Sequence, residues 1–383
     1  MFDFFLAVNL TAQTFSLKKE SPRFPTGKRI LSALLILPFF FVLIIVNRFF
    51  MLFDWILFPG FRKMKLKKTA FITGVPRSAT TYLFNILAQD KEHFTCFKLW
   101  EILFAPSIIQ KYILSGIFKA DRLIGRPVYH FSLLLDKIFL SRIAKLHEIS
   151  FSKPEEDEML LLYAFGSMYL TFFFPDVKAL DPHLFFDTEL STKKKKNLML
   201  FYKRCVQRHA YFFDRKEEKC FLSKNPCFIS KIVSISETFP DAVLIYMLRS
   251  PLKTIPSTIS LNANIYSVFS GKKKENPLSA KTTEVIIQWY KNTDGLIEKH
   301  WQKRSIIIPF KKITNQPEST IHSVYAFLKL IPSANMNELL MTEQENCRAY
   351  QTNHIYNSRN DVLEKEIYLQ LDFILNGKYK DEI

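Results

Sequence analysis

The stretch from Lys68 to Leu87, KTAFITGVPRSATTYLFNIL, constrains the fold of this chain more than any other. A short apolar run, Thr69 to Thr73, is followed directly by GVPRSATT and then by an apolar-periodic stretch from Tyr82 to Leu87. This order predicts a buried strand, a tight turn and a helix. Such a turn aims several backbone N–H groups and the positive end of a helix dipole at one point. The stretch therefore predicts an anion site at the end of a strand.

The spacing of this turn is that of a phosphate loop, G-x-x-x-x-G-K-[ST], with two diagnostic positions changed. Ala79 stands at the second glycine and Thr80 at the lysine. A nucleoside triphosphatase needs that lysine on the β- and γ-phosphates, so the pattern argues against hydrolysis of ATP or GTP. The alternative to an anion site is an ordinary strand-to-helix turn that happens to contain Arg77.

A second stretch, from Lys219 to Leu261, contains two predicted strands, and each is followed directly by a basic residue. The run Cys220 to Ser223 ends in Lys224-Asn225-Pro226, and a helix is expected from Ile232 to Phe239. Ala242 to Leu248 is continuously apolar, which is typical of a buried parallel strand. It ends at Arg249, and the helix that follows carries Ser257. A guanidinium binds phosphate through two parallel N–H donors.

Together these stretches resemble the sulfotransferases that use 3′-phosphoadenylyl sulfate (PAPS). The early turn is similar to the P-R-S-G-T-T loop that cradles the 5′-phosphosulfate in that family. By this resemblance the loop positions are Pro76, Arg77, Ser78, Ala79, Thr80 and Thr81. Arg249 and Ser257 keep the eight-residue spacing of the family's 3′-phosphate pair, and Lys224 corresponds to the lysine that reaches the transferring sulfonate. The F-P-D-A segment from 239 to 242 and the closing helix from Pro317 to Leu328 also match.

The acceptor side of the site is predicted from the same resemblance. Trp100, Glu101 and Pro106 match a segment that supplies a general base in relatives, so Glu101 is the predicted base and His147 its substitute. His147 with Glu156 and Asp157 would line the acceptor pocket. Two other interpretations stay open: Glu101 as a surface carboxylate at a helix start, and residues 152–155 (SKPE) as a helix capping box.

An apolar segment precedes the predicted catalytic domain. Ile30 to Val46 is apolar apart from Ser32, and Phe49 to Phe61 is apolar again apart from Asp54. Basic residues balance each other on the two sides, so the positive-inside rule chooses no orientation. We expect membrane attachment through residues 30–61, by a spanning helix, a hairpin or an interfacial helix. The alternative is a buried pair of helices.

Charge and cysteine content limit the partners and the compartment. The 383 residues carry a formal net charge of +17, without zinc-finger or helix-turn-helix spacing. An anionic membrane surface and a polyanionic nucleotide explain this charge, and no nucleic acid partner is expected. Five cysteines without a C-x-x-C pair indicate a reducing compartment. We expect a membrane-associated protein whose catalytic domain is cytoplasmic, with no metal, and a homodimer is compatible with the sequence.

The predicted fold is α/β: a three-layer, P-loop-type parallel sheet with helices on both faces, a helical insertion and an N-terminal membrane-associated helical segment. The predicted segments are a basic one (1–29), the apolar segment (30–61), a sulfotransferase domain (62–335, with a helical acceptor-side insertion at 105–215) and a polar extension (336–383). The predicted function is sulfonate transfer from PAPS to a hydroxyl or amine of a small-molecule, lipid or glycan acceptor. The alternatives are a non-catalytic membrane scaffold of this fold and another P-loop transferase or kinase. The segment from Asn262 to Thr283 is expected to be a mobile lid.

Overall fold

A parallel five-stranded sheet forms from strands between residues 69 and 309. The computed structural model describes residues 3–135, 137, 150–271, 277–349, 361–377 and 379–380. The strands are β1 (Thr69–Gly74), β2 (Phe94–Thr95), β3 (Cys220–Lys224), β4 (Val243–Leu248) and β5 (Ser305–Pro309). Their order in the sheet is β2-β3-β1-β4-β5, and all neighbours run parallel. The predicted α/β fold class is confirmed.

Apolar composition explains why β1 and β4 take inner positions in the sheet, as β3 also does. Every residue of β1 is buried, and β4 is buried from Leu244 onward. Strands that are covered on both faces read as continuous apolar runs, since neither face meets water. Their register pairs Gly74 with Met247, so both strands end at the same edge of the sheet.

Seventeen α-helices are assigned within the described residues. They are α1 (Phe4–Ala12), α2 (Gly27–Leu57), α3 (Thr80–Leu87), α4 (Leu99–Phe104), α5 (Ile108–Leu123), α6 (Pro127–Leu135), α7 (Leu170–Phe173), α8 (Asp181–Leu184), α9 (Phe186–Glu189), α10 (Thr192–Phe213), α11 (Ile232–Thr238), α12 (Pro251–Ser270), α13 (Ser279–His300), α14 (Phe310–Asn315), α15 (Pro317–Leu328), α16 (Ala334–Ala349) and α17 (Asp361–Leu375). Short 3₁₀ helices cover Pro59–Lys63, Asp157–Ala164, Lys178–Leu180, Pro226–Lys231 and Gln302–Arg304. The closing helix α15 has the predicted bounds.

The chain divides into two compact units. The first contains Met1–Lys67, Cys96–Glu217 and Ser260–Ser279, and is helical. The second contains Lys68–Thr95, Glu218–Ile259 and Ala280–Ile383, and holds the whole sheet. Since α2 and most of the predicted insertion 105–215 share the first unit, these two parts of the sequence fold together.

The N-terminal apolar segment forms a single helix. The helix α2 runs for 31 residues without interruption at Asn47 or Arg48, with the Thr26 hydroxyl accepting a hydrogen bond from the backbone N–H of Arg29 at its start. By length and composition α2 could cross a membrane. The hairpin and the buried helix pair both need two helices between 30 and 61, so both are wrong.

Two local predictions are also wrong. Residues 262–270 belong to α12 and residues 279–283 to α13, so most of the expected lid is helical; residues 272–276 lie outside the described residues. Ser152-Lys-Pro-Glu155 caps no helix. Instead the Glu155 N–H donates to the Phe97 carbonyl oxygen at 3.1 Å, which leaves the next helix to start at Asp157.

Candidate functional site

The loop between β1 and α3 makes a close turn at the carboxyl edge of the sheet. It extends from Val75 to Ala79, and α3 begins at Thr80. A β-carbon on Gly74 would lie 2.4 Å from the Met247 carbonyl oxygen and 2.8 Å from the Ser78 hydroxyl. Only glycine leaves room for this approach of β1 to β4, which explains the residue at the start of the loop.

Two residues of the loop adopt the left-handed conformation that favours glycine. Arg77 has φ 69° and Ala79 has φ 70°. Ala79, at the N-cap of α3, therefore stands where glycine would be relaxed, and it makes no side-chain cap. A residue other than glycine in the left-handed conformation reduces stability by about 1–3 kcal/mol, and such residues are frequent at functional sites. The turn is strained in the manner of a ligand-binding loop.

The Ser78 side chain is a polar group left available by the loop. Ser78 is fully buried, and its hydroxyl has no hydrogen-bond partner among the described residues. Buried hydroxyls normally have partners, so such an exception needs a reason. A phosphate or sulfonate oxygen would provide the missing partner. The loop thus fits the anionic group that the sequence predicts for it.

Lys224 extends from the end of β3 toward α3. Its ammonium group donates to the Thr81 hydroxyl at 3.2 Å and lies 5.7 Å from the centroid of the Phe84 ring. Lys224 is 1% exposed. The structure therefore brings Lys224 together with the first turn of α3, which also carries Thr80.

Arg249, at the end of β4, reaches the β1–α3 loop. Its Nη1 donates to the Arg77 carbonyl oxygen, and the Arg77 Nε donates to the Ser257 hydroxyl at 3.1 Å. The Arg249 guanidinium stacks on the Phe310 ring at 3.9 Å, and its carbonyl oxygen accepts from the Tyr290 hydroxyl at 2.5 Å. The two segments predicted to bind phosphate groups thus meet at the same edge of the sheet.

The sheet topology explains this meeting of distant residues. The chain leaves β1 toward β2 on one side of the sheet and leaves β4 toward β5 on the other. Ligands of open parallel sheets bind at the carboxyl edge where the connections diverge in this way. Arg77 follows β1 and Arg249 follows β4, so both lie at that point.

Glu101 lies in the first unit and is buried. Its Oε2 is 2.9 Å from the His209 Nδ1 and 3.9 Å from the Lys111 Nζ, and its Oε1 accepts from the Lys98 backbone N–H. Glu101 is 1% exposed. The interpretation of Glu101 as a surface carboxylate is wrong, because α4, α5 and α10 together enclose it.

Burial also sets the proton equilibria around Glu101. It lowers the pKa of the Lys111 ammonium, which the negative charge of Glu101 partly offsets. It raises the pKa of the Cys96 thiol to about 12, again with a contribution from Glu101. The sequence offered no signal for His209 or Lys111, since each is a lone polar residue in a helical stretch far from any motif.

The other predicted acceptor-side residues differ in their surroundings. Asp157 is buried and accepts a 2.6 Å hydrogen bond from the Tyr202 hydroxyl, whereas Glu156 precedes the 3₁₀ helix at its N-cap. His147 lies outside the described residues. No group of three or more His, Cys, Asp or Glu side chains in the described part of the chain could hold a metal ion.

The chain is similar to known sulfotransferases in sequence. A family model described as "Sulfotransferase family" matches residues 70–332. Omega-hydroxy-beta-dihydromenaquinone-9 sulfotransferase Stf3 from Mycobacterium bovis and from Mycobacterium tuberculosis is 26% identical over 262 residues. That match covers 68% of this chain and 62% of the relatives, which is less than two thirds of their length.

Two solved structures share the fold. Sulfotransferase STF1 from Mycobacterium tuberculosis H37Rv has a TM-score of 0.69 at 17% identity, over 95% of this chain and 91% of its own. Sulfotransferase STF9 from Mycobacterium avium has a TM-score of 0.63 at 14% identity, over 86% of this chain and 82% of its own. Most of the chain thus has a structural counterpart.

Proposed function

This chain belongs to the sulfotransferase family, and we propose that it moves a sulfonate group from PAPS to a hydroxyl or amine of an acceptor close to a membrane. The observation that carries this proposal is the cluster at the carboxyl edge of the sheet. There the buried, unpartnered hydroxyl of Ser78 lies in a strained loop that Arg249 contacts directly. Cations, together with one buried hydroxyl that has no partner in the described part of the chain, suit a nucleotide with anionic groups.

The residues of the cluster take separate parts in the proposed reaction. The acceptor oxygen attacks sulfur, and the bond between sulfur and the bridging phosphate oxygen breaks, leaving 3′-phosphoadenosine 5′-phosphate. Negative charge grows on that phosphate oxygen, where the loop N–H groups, Arg77, Ser78, Thr80 and Thr81 stabilise it. Lys224 lies beside Thr81 and binds the transferring sulfonate, while Arg249 and Ser257 bind the 3′-phosphate. Fixed donors of this kind each contribute about 10²- to 10³-fold to the rate.

Glu101 is the proposed general base and takes the acceptor's proton. The His209 Nδ1 at 2.9 Å and the Lys111 Nζ at 3.9 Å hold the Glu101 carboxyl group in a fixed position, which a general base requires. Glu101→Gln keeps the shape of the side chain but removes the proton acceptor. We expect it to lower kcat by about 10²- to 10⁴-fold with little change in nucleotide affinity. If Glu101→Gln lowered nucleotide affinity as much as it lowered kcat, Glu101 would have a structural role instead.

The acceptor is proposed to be a lipid or another amphiphile with a free hydroxyl. The similar Stf3 proteins are named for a hydroxylated menaquinone, a lipid-like quinone, and α2 presents a long apolar surface. Both features support a reaction at a membrane, and we propose the cytoplasmic side for the catalytic region. Glycan acceptors and a homodimer stay predictions.

The test is transfer of labelled sulfate to an extract. The purified full chain, PAPS labelled with ³⁵S and a membrane-lipid extract should yield products heavier by one SO₃, without added ATP or metal. Arg77→Ala and Lys224→Ala should abolish them. Nucleotide binding without any product would favour the non-catalytic scaffold, and transfer of phosphate from ATP would favour a kinase.

A further inference from the structure

We infer that α2 attaches this protein to one leaflet of an anionic bilayer by lying along its surface, and that it does not cross the membrane. The inference rests on the proposed membrane association and specifies its geometry. It follows from the polar residues of α2, from the apolar face that they leave exposed and from the charges that flank the helix.

Arg29 holds the first turns of α2 to the rest of the first unit. Its guanidinium is 1% exposed and donates to the Thr14 carbonyl oxygen at 2.8 and 3.1 Å, to the Phe173 carbonyl oxygen at 3.1 Å and to the Ser270 hydroxyl at 3.0 Å. If α2 moved away from the rest of the first unit into a bilayer, Arg29 and its partners in three separate segments would lose these hydrogen bonds.

The middle of α2 is held in the same way. Asn47 is fully buried, donates to the Leu103 carbonyl oxygen at 2.9 Å and accepts from the Gln110 side chain at 2.6 Å. Arg48 donates to the Tyr163 carbonyl oxygen at 3.0 Å. These bonds join α2 to the chain around α4 and α5 and to the 3₁₀ helix at 157–164.

The last turns of α2 carry the strongest attachment. Asp54 is fully buried and accepts from the Arg208 Nε at 2.7 Å and from the backbone N–H groups of Ile108 and Ile109 at 3.0–3.2 Å. Arg208 also donates to the Met51 carbonyl oxygen at 3.0 Å. Separating a buried ion pair, so that one charge stays alone in an apolar environment, destabilises a protein by several kcal/mol.

These attachments extend over more than the thickness of the hydrocarbon core of a bilayer. Residues 29 and 54 lie about 38 Å apart on a helix that rises about 1.5 Å per residue, and the hydrocarbon core is about 30 Å thick. A spanning α2 would either break these bonds or carry the loops around Leu103 and Tyr163 into the hydrocarbon, where exposed irregular backbone is not tolerated. The helix can therefore meet lipid only with its outer face.

That outer face is apolar along the whole helix. Its large exposed side chains are Ile30, Leu31, Leu34, Leu35, Phe39, Val42, Ile45, Val46, Phe49, Leu52, Phe53, Trp55, Ile56 and Leu57. The only charged residues between positions 30 and 57, Arg48 and Asp54, bond to the protein. An uncharged stripe of this length exceeds the scattered apolar residues of ordinary protein surfaces.

Cations at both ends of the stripe identify the partner. Lys18, Lys19 and Lys28 before the stripe and Arg62 and Lys63 after it are exposed. Each basic residue near an anionic leaflet adds about 1 kcal/mol of attraction. A second copy of the chain would bring these cations against each other, whereas anionic lipid head groups neutralise them. An apolar stripe between two basic ends is the pattern of an interfacial helix.

Protease protection of tags at the two termini tests the geometry. In sealed membranes from expressing cells, the N-terminal and C-terminal tags should be cleaved from the same side. Cleavage of the two tags from opposite sides would show a spanning helix and overturn the inference. A protein that stays in the soluble fraction would overturn it too, while leaving sulfonate transfer to be judged by its own assay.

Binding to vesicles tests the surface. The full chain should sediment with phosphatidylglycerol–phosphatidylcholine vesicles and less with phosphatidylcholine alone. Ile45→Glu, at a site 67% exposed, should weaken this binding by about tenfold or more. Leu369→Glu, at an exposed site of α17, is the matched control and should not. If Ile45→Glu instead converts a dimer to a monomer and leaves vesicle binding unchanged, the stripe is a protein interface.

Discussion

The Arg249 Nη1 donates a hydrogen bond of 2.5 Å to the backbone carbonyl oxygen of Arg77, 172 residues earlier in the chain. The bond joins the turn after β1 to the end of β4. Because these strands are direct neighbours, the first and last parts of the candidate nucleotide site form one continuous edge. Five expectations follow, some from this edge and others from buried groups elsewhere in the chain.

Relief of strain at Ala79 should stabilise the protein. Ala79→Gly removes a β-carbon from a left-handed residue, a gain of about 1–2 kcal/mol, which the greater freedom of glycine in the unfolded chain reduces to about 0.5–1 kcal/mol. Denaturant unfolding measures this difference. Lys329→Gly, at a left-handed residue that ends α15, is the control and should stabilise similarly. Loss of stability for Ala79→Gly alone would show that the loop needs the alanine.

Removal of the Ser78 hydroxyl should affect ligand binding more than folding. The group has no partner in the described chain, so Ser78→Ala breaks no internal hydrogen bond there and should not lower the free energy of unfolding. A lost hydrogen bond to the ligand, about 0.5–1.5 kcal/mol, should weaken binding of 3′-phosphoadenosine 5′-phosphate about two- to twelvefold. Calorimetry measures both quantities. Unchanged affinity would contradict the placement of the 5′-phosphate at Ser78.

Removal of one partner from the buried ion pair of Asp54 and Arg208 should strongly destabilise the protein. Asp54→Ala leaves the Arg208 guanidinium buried without its partner and should destabilise the protein by about 3–5 kcal/mol. The double variant Asp54→Ala, Arg208→Met should lose less than the sum of the single variants, because it leaves no unpaired charge. Strict additivity in denaturant unfolding would mean that the pair is not coupled.

Thiol burial predicts a loss of stability in alkali. Burial raises the pKa of Cys205 to about 11 and that of Cys220 to about 12, from an ordinary 9.0. The unfolded chain therefore releases these protons first, and stability should fall as the pH rises above 9.0 toward 12. Cys220→Ala should flatten the decline measured by unfolding between pH 8 and 10.5. Rapid alkylation of native Cys220 at pH 8 would contradict its burial.

The sequence was informative where structure follows from short segments. The apolar run Ala242–Leu248 predicts a strand observed at Val243–Leu248, and the predicted helix Pro317–Leu328 is observed with the same bounds. Fixed strand ends also predict that Arg77 and Arg249 share an edge, because parallel strands point their carboxyl ends the same way.

Tertiary contacts limited the remaining predictions. Glu101 and His209 meet across 108 residues of sequence, which no spacing rule detects. Asn47, Arg48 and Asp54 interrupt an apolar run in the sequence, yet each of them bonds to another part of the chain. The expected lid failed because Gly271 and the lysines after it suggested a loop, while the residues on both sides continue two long helices.

Nucleotide binding by the Arg249→Ala variant tests the central claim most directly. Titration calorimetry should show that the wild-type protein binds 3′-phosphoadenosine 5′-phosphate with much higher affinity than adenosine 5′-monophosphate. Arg249→Ala should weaken the bisphosphate about 10- to 150-fold, the loss of a charged hydrogen bond of about 1.5–3 kcal/mol, and leave the monophosphate within about twofold. If the variant binds both nucleotides as the wild type does, Arg249 does not hold a 3′-phosphate and the proposed site is wrong.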